Sequence, residues 1–362
     1  MSSIPPLLQQ TPVFVPAPAQ SPGDFQTQMF RRYGGTLKVP DPNLVVLTRR
    51  ADSEMDDLSL RLARRDIPML RVDVEDLCED FAYTFDPLAD VPELVTVGRR
   101  SGARPLLWIR HHDLAGLPVS HLAGSDSALL TCFARLSWHQ AAAALTRASG
   151  VRWINHDEAA TPLDRVTQLT TATRLGIAVP RTLVTNDRRQ ACRFAETCRL
   201  GVITKTVADH FVEVEPGRLA GIFPRRLKRD QLHCNDEAGL DVFPTMYQEY
   251  ISAESELRVS AVGGSVAVFR IRKQAAKELW TRPDEVGVES IPADNGLASM
   301  TRALMSAFRL QIGALDFLET DEGPVFLEVN SVGDWRYFEQ RAGCTPVSEA
   351  VERFILSEIG ST

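Results

Sequence analysis

The fold is decided by two short stretches near the C-terminus, Gly313-Ala314-Leu315-Asp316-Phe317 and Phe326-Leu327-Glu328-Val329-Asn330. Both have the length and the apolar character of β-strands. Between them lies the turn sequence Asp321-Glu322-Gly323, so the two strands are predicted to pair as a β-hairpin. The acidic residues inside these apolar stretches make the hairpin the first candidate for a functional site.

The polar residues of this hairpin are predicted to share one face. Side chains two apart on a strand point the same way, so Glu328 and Asn330 project together while Val329 faces the core. Asp316 lies on the preceding strand and can join them. Two carboxylates and an amide oxygen are hard ligands that suit Mg²⁺, a metal that keeps several waters and also binds nucleotide phosphates. The residues alone leave open a simpler interpretation, in which all three are exposed polar residues at strand ends.

Two more candidate groups lie upstream. The stretch Tyr247-Gln248-Glu249-Tyr250-Ile251 is predicted to be a strand that turns and re-enters before Glu256, which leaves main-chain groups at an edge. Such an edge could bind an adenine ring, and Glu256 could take ribose hydroxyls. Lys205 ends an apolar strand over 201–205, and lysine is a compact charge that suits phosphate oxygens. Taken singly, these residues are equally typical of ordinary strands that face water.

Apolar strands alternate with helices in the N-terminal half, which predicts parallel βαβ units and a first α/β domain over 41–154. Strands are predicted there at 44–48, 67–72, 106–110 and 151–155, and helices at 54–65 and 126–147. Later strands are predicted at 182–185, 246–251, 256–262 and 266–272, and helices at 164–175, 186–199, 295–310 and 348–357. Residues 1–40 are rich in Pro, Gln and Ser, which predicts a flexible arm.

Composition excludes several classes of protein. The 362 residues are 44% hydrophobic and 24% charged, as in ordinary globular proteins, and a net charge of -7 argues against a nucleic-acid partner. No apolar run approaches the roughly 18 residues of a membrane span, so no membrane association is predicted. The six cysteines form no CxxC pair, so neither a zinc site nor a disulfide framework is predicted. The sequence therefore favours a reduced, cytoplasmic protein.

The order of the three candidate groups resembles the ATP-grasp superfamily over residues 155–356. The resemblance implies that ATP and Mg²⁺ are the cofactors, and that Phe269-Arg270-Ile271-Arg272 is the strand whose cation lies near the γ-phosphate. The implied site residues are, for the metal, Asp316, Glu328 and Asn330; for the nucleotide, Arg165, Lys205, Glu249, Tyr250, Ile251 and Glu256; and, as catalytic cations, Lys205, Arg258 and Arg272.

Three blocks narrow the resemblance to the microviridin-type (graspetide) maturases, which tailor ribosomally made peptides. They are 155–159 (Asn-His-Asp-Glu-Ala), 175–186 (Leu-Gly-Ile-Ala-Val-Pro-Arg-Thr-Leu-Val-Thr-Asn) and 328–335 (Glu-Val-Asn-Ser-Val-Gly-Asp-Trp). Leu107-Trp108-Ile109-Arg110 is similar to the Trp-Arg strand of their N-terminal domain. Two residues depart from the family pattern: Arg165 stands where a phosphate-contacting lysine is usual, and Asp334 where Gln is common.

The fold class implied is α/β (α+β): a pre-ATP-grasp parallel α/β domain followed by a two-lobed ATP-grasp fold. The predicted divisions are the arm at 1–40, the pre-ATP-grasp domain at 41–154, the central lobe at 155–245 and the C-terminal lobe at 246–362. The segment 209–221, around Pro216-Gly217, is predicted to form a lid hairpin, because an acyl phosphate hydrolyses if water reaches it.

The resemblance implies a two-step reaction on a ribosomal precursor peptide. An Asp or Glu side chain takes the γ-phosphoryl group of ATP, and a Ser or Thr hydroxyl or a Lys amine of the same peptide then displaces phosphate. The acidic core of such a peptide could be attracted by Arg225, Arg226, Lys228 and Arg229, unless these form a solvated helix face. A homodimer is possible. Two alternatives remain: an intermolecular ligase that adds an amino acid to a peptide, and a non-catalytic nucleotide-binding module.

Overall fold

The computed structural model describes residues 13–16, 43–78, 81–88, 91–96, 99–100, 105–112, 114, 117, 127–148, 151–155, 163–207, 211–215, 218–228, 232, 240–273 and 283–360. The strands in this part of the chain are β1 (Val13–Pro16), β2 (Leu44–Thr48), β3 (Met69–Asp73), β4 (Phe81–Asp86), β5 (Val91–Thr96), β6 (Arg99–Arg100), β7 (Leu106–Ile109), β8 (Arg152–Ile154), β9 (Thr182–Asp187), β10 (Val202–Thr206), β11 (Phe211–Glu215), β12 (Arg218–Gly221), β13 (Arg225–Leu227), β14 (Leu240–Glu249), β15 (Ser255–Val262), β16 (Ser265–Arg272), β17 (Gly287–Ile291), β18 (Ile312–Thr320) and β19 (Gly323–Asn330). The helices are α1 (Ser53–Ala63), α2 (Ser127–Leu145), α3 (Arg165–Arg174), α4 (Arg188–Glu196), α5 (Asn295–Ala307), α6 (Arg336–Ala342) and α7 (Pro346–Gly360).

The N-terminal sheet has the strand order β3-β2-β7-β8, and all its pairings are parallel. Every residue of β2 is buried, and its side chains alternate between two hydrophobic cores: Leu44 and Val46 face one, Val45 and Leu47 the other. A parallel sheet covered on both faces has this pattern. The predicted parallel α/β arrangement of this region is confirmed.

The middle sheet is antiparallel, with the order β13-β10-β14-β9. Helix α4 packs on it through Ala191, Cys192 and Ala195. Cys192 is disulfide-bonded, so the prediction that all the cysteines are reduced is wrong at this position. β14 continues across the predicted lobe boundary at 245–246, and this division of the chain stays a prediction.

The C-terminal sheet is also antiparallel, with the order β17-β16-β15-β18-β19. The predicted hairpins form: Gly263 and Gly264 turn between β15 and β16 with φ of 52° and 88°, and Gly323 ends the turn before β19 with φ of 112°. One face of β15 packs Leu257 and Val259 into the core that lies under α5. The alternate residues of β15, which include Glu256 and Arg258, therefore lie on the opposite face.

Some elements were not predicted. Strands β4, β5 and β17 and helix α6 are absent from the sequence-based assignment. The predicted lid forms a hairpin of β11 and β12, although its tip at 216–217 lies outside the described residues. Of the predicted arm, β1 is described and pairs antiparallel with β12, and the other residues of 1–40 lie outside the described part. Among the described residues, no helix is long and apolar enough to cross a membrane.

Candidate active site

The centre of the candidate site is a row of three charged side chains on neighbouring strands. Arg258 on β15 lies directly opposite Asp316 on β18, which in turn lies opposite Glu328 on β19. Side chains of directly opposite residues in an antiparallel pair share a face. The Nη1 atom of Arg258 donates to both carboxylate oxygens of Asp316, at 2.9 and 3.2 Å. The sheet register thus places two of the predicted metal ligands beside one predicted catalytic cation.

Arg165 reaches the same place from the first turn of α3. Asp164 caps this helix by accepting hydrogen bonds from the amides of Val166 and Thr167, so the helix begins at Arg165. The buried Gln168 side chain then hydrogen-bonds both the amide and the carbonyl of Val329 and fixes the helix against β19. In this position the Nε atom of Arg165 lies 2.7 Å from a Glu328 carboxylate oxygen. The cation that departs from the family pattern is therefore brought to the predicted metal site.

Lys205 enters the site from the middle sheet. It is buried, and the burial lowers the pKa of its ammonium, although the carboxylates of Glu328, Glu256 and Asp316 favour the charged form. A lysine held among carboxylates yet shielded from water is poised for an anionic ligand such as a phosphate chain. Charged residues of the two sheets thus lie close together, and the roles predicted for them stay predictions.

The carboxylates of Asp316 and Glu328 crowd each other although each has an arginine partner. Burial raises the pKa of Asp316, and Arg258 opposes this while Glu328 and Glu256 add to it. Crowded carboxylates of this kind fit a divalent cation, which would relieve their mutual repulsion. Within the part of the chain that the structure describes, no three or more His, Cys, Asp or Glu side chains are grouped to hold a metal. A bound Mg²⁺ would therefore rest on two carboxylates together with water, phosphate or an amide oxygen.

Asn330, the third predicted metal ligand, is engaged elsewhere in this conformation. Its Oδ1 atom accepts hydrogen bonds from the amides of Val332, at 2.9 Å, and Gly333, at 3.2 Å. These bonds shape the turn that follows β19, where Gly333 has a φ of 71°. The structure thus brings Asp316 and Glu328 together but directs the Asn330 oxygen into its own turn, and metal binding by Asn330 requires that turn to open.

The predicted adenine-binding hinge follows β14. The amides of Glu249 and Tyr250 are bonded to the carbonyls of Arg181 and Gly201. The amide of Ile251 has no backbone partner among the described residues, and it is therefore the hinge donor best placed to meet an adenine ring. The Tyr250 ring lies under the guanidinium of Arg226, 3.6 Å from its centroid.

Arg272 and Lys273, at the end of β16, lie on opposite faces of the sheet. Arg272 is 61% exposed and lies on the face opposite Arg258, where its nearest acid is Glu289 at 3.3 Å. Lys273, one residue later, turns to the site face and forms an ion pair with Glu256 at 2.7 Å. The structure therefore does not bring Arg272 to the site. The register of the strand instead presents Lys273, which the sequence analysis missed, because side chains alternate faces along a strand.

A second charged cluster joins the site to the N-terminal sheet. Arg110, which follows β7, is completely buried beside the stacked rings of Trp108 and Trp335 and donates to Asp52 at 2.8 Å. It also donates to the carbonyl of Val332 and to the carboxylate of Asp334, in the turn after β19. No sequence signal marks this contact, since Arg110 and Asp334 are 224 residues apart.

The side chain of Asn155, which follows β8 of the N-terminal sheet, forms hydrogen bonds to the C-terminal region. Asn155, with a φ of 55°, donates from Nδ2 to the carbonyls of Ile312 and Ser331. Its Oδ1 accepts hydrogen bonds from the amides of Gln311 and Ile312. This residue opens one of the blocks that resemble the microviridin-type maturases; residues 156–159 of that block lie outside the described part.

The predicted peptide-binding cluster is only partly described. Arg225 and Arg226 lie on β13, so the alternative of a helix face is wrong for these two residues. Arg226 and Lys228 are exposed, and Arg229 lies outside the described residues. Arg226 lies beside the hinge, since its guanidinium covers the Tyr250 ring.

Comparison with solved structures identifies the fold. Matches include the ATP-grasp ligase PsnB complexed with a phosphomimetic minimal precursor variant, Mg and ADP (TM-score 0.70, 20% identity, covering 88% of this chain and 99% of that chain). Macrocyclase MdnC of Microcystis aeruginosa MRC, bound with precursor peptide MdnA, matches with a TM-score of 0.69 and 19% identity, covering 87% of this chain and 99% of that chain. Macrocyclase MdnB of the same organism matches with a TM-score of 0.68 and 21% identity, covering 88% and 99%.

This chain therefore has the ATP-grasp fold in the form seen in these peptide-modifying ligases, and the predicted fold class is confirmed. No family model matches the sequence, and no curated protein matches it.

Proposed function

We propose that this protein is an ATP-dependent ligase that activates Asp or Glu side chains of a ribosomal precursor peptide and closes ester or amide crosslinks within that peptide. The observation that carries the proposal is the convergence of Lys205, Arg165 and Arg258 on Asp316 and Glu328. It occurs on a fold shared over nearly the whole length of PsnB and MdnC. A non-catalytic module would have no need of these buried, mutually dependent charges.

The chemistry asks for positioning and charge neutralisation more than for covalent catalysis by the protein. ATP would lie with its adenine at the Ile251 amide, its ribose at Glu256 and its phosphates near Lys205 and Arg165. Mg²⁺ held at Asp316 and Glu328 would neutralise charge on the transferred phosphoryl group. Arg258 and Lys273 are the cations on the same face of the sheet, and Lys273 takes the role that the sequence analysis assigned to Arg272.

The acyl phosphate formed in the first step must be kept from water. The hairpin of β11 and β12 follows directly after the strand that ends with Lys205 and Thr206. A hairpin attached at this point can close over the phosphates, so we assign it the role of a lid.

The proposed partner is a precursor peptide. PsnB has been solved with precursor peptide PsnA2 and AMPPNP, and MdnC with MdnA. An acidic core peptide would suit the exposed positive charges of Lys228 and of Arg226 beside the hinge, and Arg225 and Arg229 belong to the same proposal. The cytoplasmic location predicted from the sequence stays a prediction.

Mass spectrometry tests the proposal. The protein is incubated with ATP, Mg²⁺ and acidic peptides that contain Thr, Ser or Lys, including peptides encoded beside its gene. A peptide that loses one water per bond formed, only when ATP and Mg²⁺ are present, supports crosslinking. Mild base should return the water to an ester and leave an amide unchanged. A gain of an amino-acid mass would instead support intermolecular ligation.

Two variants on one hairpin make the test specific. Asp316→Asn removes one charge from the candidate metal site at constant volume, and we expect it to abolish turnover without unfolding the protein. Asp321→Asn is the matched control, because Asp321 is exposed in the turn of the same hairpin and should not affect the rate. Equal rates for both variants would contradict the metal assignment.

A homodimer is proposed from the surface of α2. The side of this helix that faces away from the core carries Leu129, Phe133 and Leu136, each more than half exposed. Residues three and four apart on a helix form one stripe, and a stripe of large apolar residues in water favours a partner. A second copy of the chain can supply the same stripe through a two-fold axis. Leu136→Arg should shift the mass in light scattering from dimer to monomer, while Leu88→Arg, at a leucine that is 96% exposed elsewhere, should not.

A further inference from the structure

A histidine that follows a strand of the N-terminal sheet lies beside the turn after β19. His111 follows β7, and its Nε2 atom lies 2.8 Å from Oδ1 of Asp334 in the turn after β19. The carbonyl of Asp334 in turn accepts a hydrogen bond from Arg258, which is bonded to Asp316. His111 is thus connected to the centre of the candidate active site through two residues, Asp334 and Arg258, and the link between them uses the backbone carbonyl of Asp334.

The charge of Asp334 fixes the tautomer of His111. Burial alone would raise the pKa of Asp334, but the positive charge and hydrogen bond of His111, together with the charge of Arg110, hold it well below its usual range, so this carboxylate is ionised and can only accept hydrogen bonds. The Nε2 atom that faces it therefore carries a proton in the neutral form of His111 as well as in the charged form. In the neutral form the Nδ1 atom keeps the lone pair, which is the arrangement of a base oriented by a carboxylate.

The free side of the ring is accessible. The His111 side chain is 18% exposed, and its Nδ1 atom has no hydrogen-bond partner among the described residues and is not a buried atom. Asp334 is 40% exposed, so this end of the cluster is open to solvent, whereas the Arg110 end is closed.

On the basis of the proposed function, we infer that His111, oriented by Asp334, is the base that takes the proton from the attacking hydroxyl or amine in the second step. The attacking atom forms a bond to the acyl carbon, the bond from this carbon to the phosphate oxygen breaks, and phosphate leaves with the electron pair. The proton of the attacking group passes to Nδ1 of His111. Asp334 stabilises the imidazolium, which then returns the proton to water.

The cluster that contains His111 also holds charged side chains from the N-terminal sheet, from α1, from β15 and from the turn after β19 with the start of α6: Arg110, Asp52, Glu54, Arg258, Asp334 and Arg336. With wild-type protein, the rate of crosslinking should rise with pH, because a general base acts only in its unprotonated form. Formation of the acyl phosphate should not show this rise, because a carboxylate needs no base to attack ATP.

Hydroxylamine separates the two steps. It captures acyl phosphates as hydroxamates and, being a strong nucleophile, needs no protein base. The experiment uses His111→Asn, with His112→Asn as the control that leaves the pair with Asp334 intact. With a peptide that loses water under wild-type protein, His111→Asn should slow the water loss by about 10²- to 10⁴-fold and abolish its rise with pH. The yield of hydroxamate with ATP should stay at the wild-type level, and added imidazole should restore part of the crosslinking.

The outcomes distinguish this inference from the proposed function. Normal water loss and a normal pH profile in His111→Asn would overturn the role of His111 and leave the ligase intact. Loss of hydroxamate together with crosslinks would also overturn it, because it would mean that His111 only supports the structure of the site. No hydroxamate from wild-type protein with any peptide would overturn the proposed function, and the inference with it.

Discussion

Two buried arginines, Arg110 beside the N-terminal sheet and Arg258 in the C-terminal sheet, are used differently. Arg110 and its partner Asp52 are both completely buried, and Arg110 also lies against two stacked tryptophan rings. Arg258 is nearly as buried, but its partner Asp316 is 24% exposed and lies beside Glu328. The first pair is closed to solvent, whereas the second is open on one side.

The pKa values of the two acids, Asp52 and Asp316, are shifted in opposite directions. Burial acts to raise the pKa of Asp52, but Arg110 holds it below the usual value, so the pair is complete in itself. Burial raises the pKa of Asp316. The nearby charges of Glu328 and Glu256 add to this rise, and Arg258 opposes it. A completed pair fixes two regions of the chain against each other, while an incomplete one is ready to take a cation and an anionic ligand. The comparison therefore separates a structural arginine from a functional one.

The largest change, a loss of folding stability, is expected when the buried Arg110–Asp52 pair is broken. Arg110→Met would leave Asp52 and Asp334 without their cation, and breaking a buried pair in this way costs about 3–5 kcal/mol. Urea unfolding of the two proteins measures the difference in the free energy of unfolding. Arg353→Met is the matched control, because Arg353 is exposed on α7, and its cost should stay within about 0.5 kcal/mol. Equal costs for the two substitutions would contradict the structural role of Arg110.

Removing a charge from the candidate active site should have the opposite effect on stability. Lys205→Met keeps the length of a side chain whose buried charge is disfavoured, as its lowered pKa indicates. We expect turnover to fall by about 10²–10³-fold, the loss typical of removing one group that stabilises transition-state charge. The free energy of unfolding at neutral pH should rise, because the desolvated charge is gone. A variant that loses both activity and stability would show that Lys205 supports the fold.

A smaller, pH-dependent effect is expected at the edge of the N-terminal sheet. Burial raises the pKa of Asp73 to about 6, although Arg71 acts against the rise. Between the unfolded pKa of 3.8 and this value the native state holds a proton that the unfolded chain releases, so the contribution of Asp73 to stability is full below pH 3.8 and falls as pH rises to 6. Subtracting the stability curve of Asp73→Asn from that of the wild type should give a decline of up to about 3 kcal/mol over this window. A flat difference, or one that rises with pH, would contradict the burial of this acid.

Local patterns in the sequence were sufficient to predict many of the strands, helices and turns. Strand β2 begins and ends where the apolar run does, and the Gly263-Gly264 pair marks the turn between β15 and β16. The sequence missed β17 and α6, which are short, carry many exposed or charged residues and depend on tertiary contacts. Most of the candidate site was also predicted, because its carboxylates and Lys205 lie on recognisable strands.

The errors in the site have two physical causes. A shift of one residue along a strand moves a side chain to the other face, so the choice between Arg272 and Lys273 needed the register with β15. The contact of Arg110 and His111 with Asp334 joins residues more than 220 positions apart, and no local pattern in one sequence reports such a pairing. Composition did not predict the disulfide bond of Cys192 for the same reason, since pairing of cysteines is decided in space.

Transfer of an oxygen atom tests the central claim, that the candidate active site activates a peptide carboxylate with ATP. A peptide that loses water in the presence of the protein is prepared with ¹⁸O in its Asp and Glu carboxylates and incubated with ATP and Mg²⁺. If the carboxylate attacks the γ-phosphoryl group, one ¹⁸O atom leaves with each phosphate, and the released phosphate should carry one label per crosslink formed. Unlabelled phosphate accompanying normal crosslinking would contradict an acyl phosphate and, with it, the role assigned to the site.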